Sequence, residues 1–132
     1  MKRHIKVSCG IIQKDNQYLI VQRPAEVQHA LLWEFPGGKI EPNETATDCI
    51  IRELKEELDI IVEVDEELPM VKREEADFVI ELIPFHCTIV EGQITLLEHE
   101  AMEWITLGEP VKQDLCKGDC IILEQLVLEA RS

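Results

Sequence analysis

"GKIEPNETATDCIIRELKEELDI", residues 38–60, opens on a glycine turn and runs into a stretch of helical periodicity. Ile50, Ile51, Leu54 and Leu58 form an apolar stripe at spacings of three and four. Pro42 and Asn43 suit a helix start, and Thr45 with Asp48 three residues later resembles a capping box. Glu53, Glu56 and Glu57 follow on the same helix. At about 100° per residue, Glu57 lies about +40° and Glu56 about −60° from Glu53, with the apolar stripe centred near about +100°. The carboxylates therefore border the buried face, whereas a purely solvating acidic face would be centred opposite it. Arg52, four residues before Glu56, neutralises part of the charge. Two readings stand: a solvated acidic face, or carboxylate oxygens gathered for a hard cation such as Mg²⁺, which binds carboxylates and substrate phosphates together.

Upstream, "EFPGGKIEPNE" places a two-glycine turn at the entrance to this helix, with Glu41 and Glu44 beside it. Gly37 and Gly38 let a ligand approach the main chain, and Lys39 offers a point charge for phosphate. Further out, "HIKVSCGIIQ" and "QYLIVQR" flank "KDN", so residues 4–23 read as a hairpin, and 24–38 as a connection ending in a Pro-Gly-Gly breaker. Downstream, "DIIVEV" is a short strand. "DFVIELIPFHCTIVEG" is a long one, in which Pro84 marks an edge or a bulge. "QITLLEHEAMEWITL" supplies one or two more strands. "DCIILEQLVLEA" is a closing helix with Ile121, Ile122, Leu123 and Leu126 towards the core. Strands and helices in mixed order predict an α/β fold, a central mixed sheet with helices on its faces, in a single domain over residues 1–132.

Twenty-seven acids against 13 basic residues give a net charge of −14, which opposes binding to a nucleic-acid polymer. A small phosphate ligand that arrives with its own cations is not opposed. No apolar run is long enough to span a membrane, and "MKRHIKVSCGII" lacks the long apolar region of a signal peptide, so a cytoplasmic location is expected. The five cysteines are odd in number and contain no CxxC pair; they read as small apolar residues.

Residues 38–60 resemble the Nudix box, G-x5-E-x7-R-E-U-x-E-E-x-G-U with U aliphatic. Gly38, Glu44, Arg52, Glu53, Leu54, Glu56, Glu57 and Ile60 fall on the pattern, and Asp59 stands where the pattern has glycine. Asp tolerates the left-handed conformation that ends such a helix, at a modest cost. "WEFPGGKIE", the early "GII", "QRP" and "EHEAMEW" are similar to the MutT branch of that superfamily, which includes bacterial CTP pyrophosphohydrolases.

The resemblance implies a Nudix-type α/β/α sandwich and Mg²⁺- or Mn²⁺-dependent hydrolysis of a nucleoside triphosphate to a monophosphate and pyrophosphate. It implies metal binding by Gly37, Glu53, Glu56, Glu57 and Glu98, with Glu53 or Glu98 as the base and Arg52 orienting Glu53. Substrate contacts are implied at Arg23, Glu34, Phe35, Gly38, Lys39, Phe78 and Asp119. Read as residues alone, Arg23 and Lys39 are also ordinary surface cations, Phe35 and Phe78 also core aromatics. Asp119 is both an N-cap of the last helix and, by resemblance, a reader of the base edge through an exocyclic amino group. The leading substrate is 8-oxo-dGTP, with CTP, dCTP or a modified dCTP next. A sugar or dinucleotide diphosphate hydrolase, and a non-catalytic ligand sensor, are the other classes; the complete set of glutamates argues against the sensor.

Overall fold

The computed structural model describes residues 2–131. Strands β1 (Arg3–Lys14) and β2 (Gln17–Gln22) form the expected hairpin, turning at Asp15, whose φ is 57°. Two short strands then appear inside the stretch read as a plain connection: β3 (Trp33–Glu34) beside β2, and β4 (Gly37–Lys39) beside β1. Pro-Gly-Gly thus leads into a strand instead of ending a loop. Pairing Cys9 with Gly37 and Ser8 with Gly38 brings the backbones so close that a Cβ on Gly37 would lie 2.0 Å from the Ser8 carbonyl oxygen.

Helix α1 (Ala46–Leu58) begins as its sequence predicts. The Thr45 hydroxyl accepts the Asp48 N–H at 3.0 Å, a cap worth about 1 kcal/mol. It ends at Asp59 in the left-handed region (φ 56°, ψ 41°), and the Asp59 N–H donates to the Lys55 carbonyl at 3.1 Å. Asp therefore does the conformational work of the glycine it replaces.

The remaining elements are β5 (Ile61–Glu67), β6 (Val71–Glu74), β7 (Phe78–Glu91), β8 (Ala101–Thr106) and α2 (Lys117–Arg131). β6 gives no strand signal in sequence because three of its four residues, Lys72, Arg73 and Glu74, are charged. β7 lies inside the sheet, parallel to β1 from Arg3↔Phe78 to Ile12↔Cys87 and antiparallel to β5 and β6 on its other side. Pro84 is consequently buried in a central strand, which corrects the expectation of an edge. It sits between the last β5 pair, Glu67↔Phe85, and the first β6 pair, Val71↔Leu82. Its missing N–H falls where the neighbouring strand changes, and its carbonyl accepts the Leu68 N–H at 2.8 Å. The β5–β7 register shifts twice, between Val64 and Glu66 on β5 and between Ile89 and Glu91 on β7, neither of them at Pro84.

Alternation along the hairpin sorts the core into two layers. Ile11, Tyr18 and Ile20 pack with Ile122 and Leu126 of α2; Ile12, Leu19 and Val21 pack with Ile50, Leu54 and Leu58 of α1. The helices cover opposite faces of one mixed sheet, an α/β/α sandwich. Ile121, expected in the core, is 37% exposed. With the α2 stripe centred between Ile122 and Leu126, Leu123 lies about 80° away and Ile121 about 120° away, so Leu123 packs and Ile121 does not. Cys9, Cys49 and Cys87 are buried free thiols, Cys116 is half-buried and Cys120 exposed. Among the described residues no helix is long and apolar enough to cross a membrane.

Candidate active site

Arg52 organises the acidic helix. Its Nε meets Glu44 Oε2 at 2.6 Å and its Nη2 meets Glu44 Oε1 at 3.0 Å, a two-pronged pair. Its Nη1 reaches Glu53 Oε1 at 3.0 Å and Glu56 Oε2 at 3.2 Å. The Arg52 hydrogen bonds hold Glu44 down to about 2, and Arg52 itself is raised, chiefly by Glu44. Glu56 is thereby kept on the solvent side of α1, its side chain 52% exposed.

Glu57, one residue on, turns inward and is only 3% exposed. The helical angles foretell this division, since Glu57 lies on the core side of Glu53 and Glu56 on the other. Burial pushes the Glu57 carboxyl up to about 10, with Glu53, then Glu34 and Glu98, adding to the rise. Among the described residues its Oε1 is buried without a hydrogen-bond partner. The Glu53 carboxyl lies against β4, where a Cβ on Gly38 would come within 2.4 Å of its Cδ.

Glu98 and His99 come from the segment before β8. That segment is stitched to the end of α1: the Thr95 N–H donates to the Leu58 carbonyl at 2.9 Å and the Leu97 N–H to the Glu57 carbonyl at 3.0 Å. Helix-end carbonyls that need partners thus anchor the loop. Glu53, Glu57, Glu98 and His99, with Arg23, Glu34 and Gly37, line a small cavity of about 200 Å³. Glu56 does not line it. Among the described residues no three His, Cys, Asp or Glu side chains are drawn together as a closed metal cage. The donors that do face the cavity suit a hard divalent cation all the same. They are dominated by carboxylate oxygen, one of them is buried and unpartnered, and a glycine leaves room for another.

A larger pocket, about 320 Å³, opens on the α2 side of the sheet and is lined by Arg23, Glu34, Phe35, Gly37, Gly38, Lys39, Phe78 and Asp119 among others. Seven of the expected substrate residues and the metal candidate Gly37 therefore share one pocket wall. Arg23 is already engaged, with Glu34 Oε1 at 2.9 Å and the Gln28 carbonyl at 3.0 Å. Phe35 is in the core, while Phe78 is half-buried at the pocket wall. Asp119 is not an N-cap, which corrects that expectation. Helix α2 begins at Lys117, and the Cys120 N–H donates to the Cys116 carbonyl at 3.0 Å, so Asp119 already lies in the first turn. Its Oδ1 instead accepts the Phe35 N–H at 2.9 Å. Burial pushes the Asp119 carboxyl up to about 7, against the lowering effect of that N–H. Sequence reasoning missed His99 and Arg73. The only signal for His99 was its place next to Glu98; Arg73, which lines the larger pocket and pairs with Glu75, sits on the unread strand β6.

A mixed sheet clasped between two helices, with an acidic helix entered through a glycine strand, is the NUDIX domain, whose family model matches residues 2–126. The chain belongs to that family, whose hydrolases use divalent metal ions. Within it the chain is a Nudix hydrolase of the MutT-like type. It is 38% identical over 120 residues to the CTP pyrophosphohydrolase of Escherichia coli, covering 91% of this chain and 89% of that protein. It is 32% identical over 130 residues to the 8-oxo-dGTP diphosphatase of Haemophilus influenzae, covering 98% of this chain and 82% of that protein. Among solved structures, that of the E. coli ORF135 protein matches with TM-score 0.84 at 35% identity, covering 98% of this chain and 94% of the other.

Proposed function

We propose that this protein hydrolyses a nucleoside triphosphate to the monophosphate and pyrophosphate, with 8-oxo-dGTP or a related (d)NTP as substrate and Mg²⁺ or Mn²⁺ as cofactor. One observation carries the reading: the acidic cavity and the larger pocket share Arg23, Glu34 and Gly37 as a common wall. A nucleotide with its base in the larger pocket would reach the carboxylates with its phosphates.

Glu53, Glu57 and Glu98, with the carbonyl of Gly37, are the proposed metal ligands lining the cavity, and Glu56, paired with Arg52 outside it, would join them by turning inward. A divalent cation held by these residues would supply charge neutralisation for the triphosphate and Lewis-acid activation for hydrolysis. Arg52 fixes the Glu53 carboxylate at 3.0 Å, which suits a ligand more than a base. Glu98 lines the same cavity with no ion pair among the described residues, and we assign it the proton from the attacking water. Lys39 meets the phosphates, Gly38 lets them approach the strand, Phe35 and Phe78 flank the base, and Asp119 accepts from its exocyclic amino group. Arg23 and Glu34 form the wall between sugar and phosphates. The location proposed is cytoplasmic.

A second reading, hydrolysis of CTP, dCTP or a modified dCTP, is favoured by the near full-length likeness to the E. coli CTP pyrophosphohydrolase. Both bases present an amino group that a carboxylate accepts. A nucleotide panel assayed with Mg²⁺ and ranked by kcat/KM separates the two. Release of orthophosphate instead of pyrophosphate, or preference for a nucleotide sugar, would overturn the reading.

A further inference from the structure

We infer that His99 is a positioning residue that holds Glu57 and Glu34 in place at the wall between the acidic cavity and the nucleotide pocket. The inference rests on the functional reading above and assigns a residue outside the Nudix box. The imidazole is nearly enclosed, its side chain 6% exposed, and its Nε2 lies 3.4 Å from Glu34 Oε2 and 3.6 Å from Glu57 Oε1. The other Glu34 oxygen is taken by Arg23 at 2.9 Å. A single ring nitrogen therefore joins the pocket wall to the acidic helix.

The ring has little freedom to be elsewhere. Two residues before it the main chain is tied to α1 by the Leu97 N–H on the Glu57 carbonyl, and one residue after it the Glu100 N–H donates to the Gln22 carbonyl at 3.0 Å. Oxygens of Glu34 and Glu57 both face Nε2, so an N–H at that nitrogen has acceptors. Nδ1 is buried with no hydrogen-bond partner among the described residues, which destabilises the fold. A histidine held at that cost does its service through Nε2. Glu57 Oε1 is likewise buried and unpartnered, and the Nε2–H is the donor facing it. Closing their gap by about half an ångström completes a hydrogen bond. That bond fixes the rotation of the Glu57 carboxylate, while the Glu34 contact keeps the shared wall upright.

The test compares wild type with His99→Ala, His99→Gln and His99→Asn. It reads Mn²⁺ binding without nucleotide, from the paramagnetic signal of free Mn²⁺, alongside kcat, KM and melting temperature. A Gln amide reaches as far as Nε2, whereas an Asn amide reaches only the depth of Nδ1. His99→Ala and His99→Asn are expected to weaken Mn²⁺ binding by about tenfold or more and lower kcat with it, while His99→Gln stays within about threefold of wild type. Mn²⁺ affinity within about twofold of wild type in both His99→Ala and His99→Asn would overturn the inference, as would His99→Gln behaving like His99→Asn. If His99→Ala does not fold, the Gln–Asn comparison decides. Wild type binding no Mn²⁺ would overturn the functional reading and this inference together; Mn²⁺ binding indifferent to residue 99 would overturn the inference alone.

Discussion

The carboxyl group of Glu53 occupies the space where Gly38 has no side chain: a Cβ there would lie 2.5 and 2.6 Å from its two oxygens. Gly38 on the β4 strand and Glu53 on α1 are fifteen residues apart in sequence, and the first is shaped to receive the second. Gly38→Ala should therefore displace the Glu53 carboxylate. The displaced group is the far end of a flexible side chain, so the fold should survive with a change of about 1 kcal/mol or less. Misplacement of a reacting group by about 1 Å costs on the order of 10²-fold in kcat. Urea unfolding together with steady-state kinetics tests the pair. Wild-type kcat in a well-folded Gly38→Ala protein would show that Glu53 need not lie against β4.

Arg52→Lys retains the charge but loses the fork that grips Glu44 while reaching Glu53 and Glu56. Lys binds as a point charge and cannot hold three carboxylates in fixed directions. We expect kcat to fall by about 10²-fold with KM changed much less, because geometry rather than charge is lost. Equal kcat in the two proteins would remove the orienting role from Arg52.

EDTA should abolish turnover, and Mg²⁺ or Mn²⁺ should restore it. Glu53→Gln and Glu57→Gln should each lower kcat by on the order of 10²-fold or more, through loss of a ligand. Without metal, Glu57→Gln should melt higher than wild type, because the amide relieves a buried carboxyl crowded by Glu53, Glu34 and Glu98. Undiminished turnover in metal-free buffer would defeat the mechanism.

The pH dependence of stability carries a defined sign. Asp119 is raised from 3.8 to about 7 and Glu57 from 4.5 to about 10, so the folded protein holds protons that the unfolded chain has released. Metal-free protein should lose stability as pH rises through those windows, by up to about 1.4 kcal/mol per pH unit for each group. Asp119→Asn should flatten the profile between about pH 4 and 7, and Glu57→Gln across the wider span from about pH 4.5 to about 10. Metal binding near neutral pH should release about one proton, visible by calorimetry in buffers of different ionisation enthalpy. A melting temperature that climbs steadily from pH 5 to 8 would contradict the assignment.

Asp119→Asn also tests base choice. An Asn oxygen can still accept the Phe35 N–H, so the β3–α2 connection should persist. The amide exchanges a pure acceptor for a mixed donor and acceptor, which should shift the ranking of 8-oxo-dGTP against dCTP by about 1–3 kcal/mol in kcat/KM. An unchanged ranking would move base recognition to other residues of the pocket.

What sequence determined about this protein was local. The 3.6-residue period of α1 separated inward Glu57 from outward Glu56, the Thr45 cap and Asp59 turn bounded the helix, and alternation in β1 and β2 gave both faces of the sheet. Box spacing put Gly38 and the glutamates on one short segment. Each of these follows from backbone geometry within a few residues, which the order of side chains records directly. Tertiary structure alone decided that Pro-Gly-Gly enters a strand, that Pro84 lies mid-sheet where β5 gives way to β6, and that Asp119 binds Phe35 instead of capping α2. It also set His99 between Glu34 and Glu57, drawn from positions 34, 57 and 99. Pairings so far apart in sequence leave no periodic trace, because strand partners and loop anchors are chosen by the packing of the whole chain.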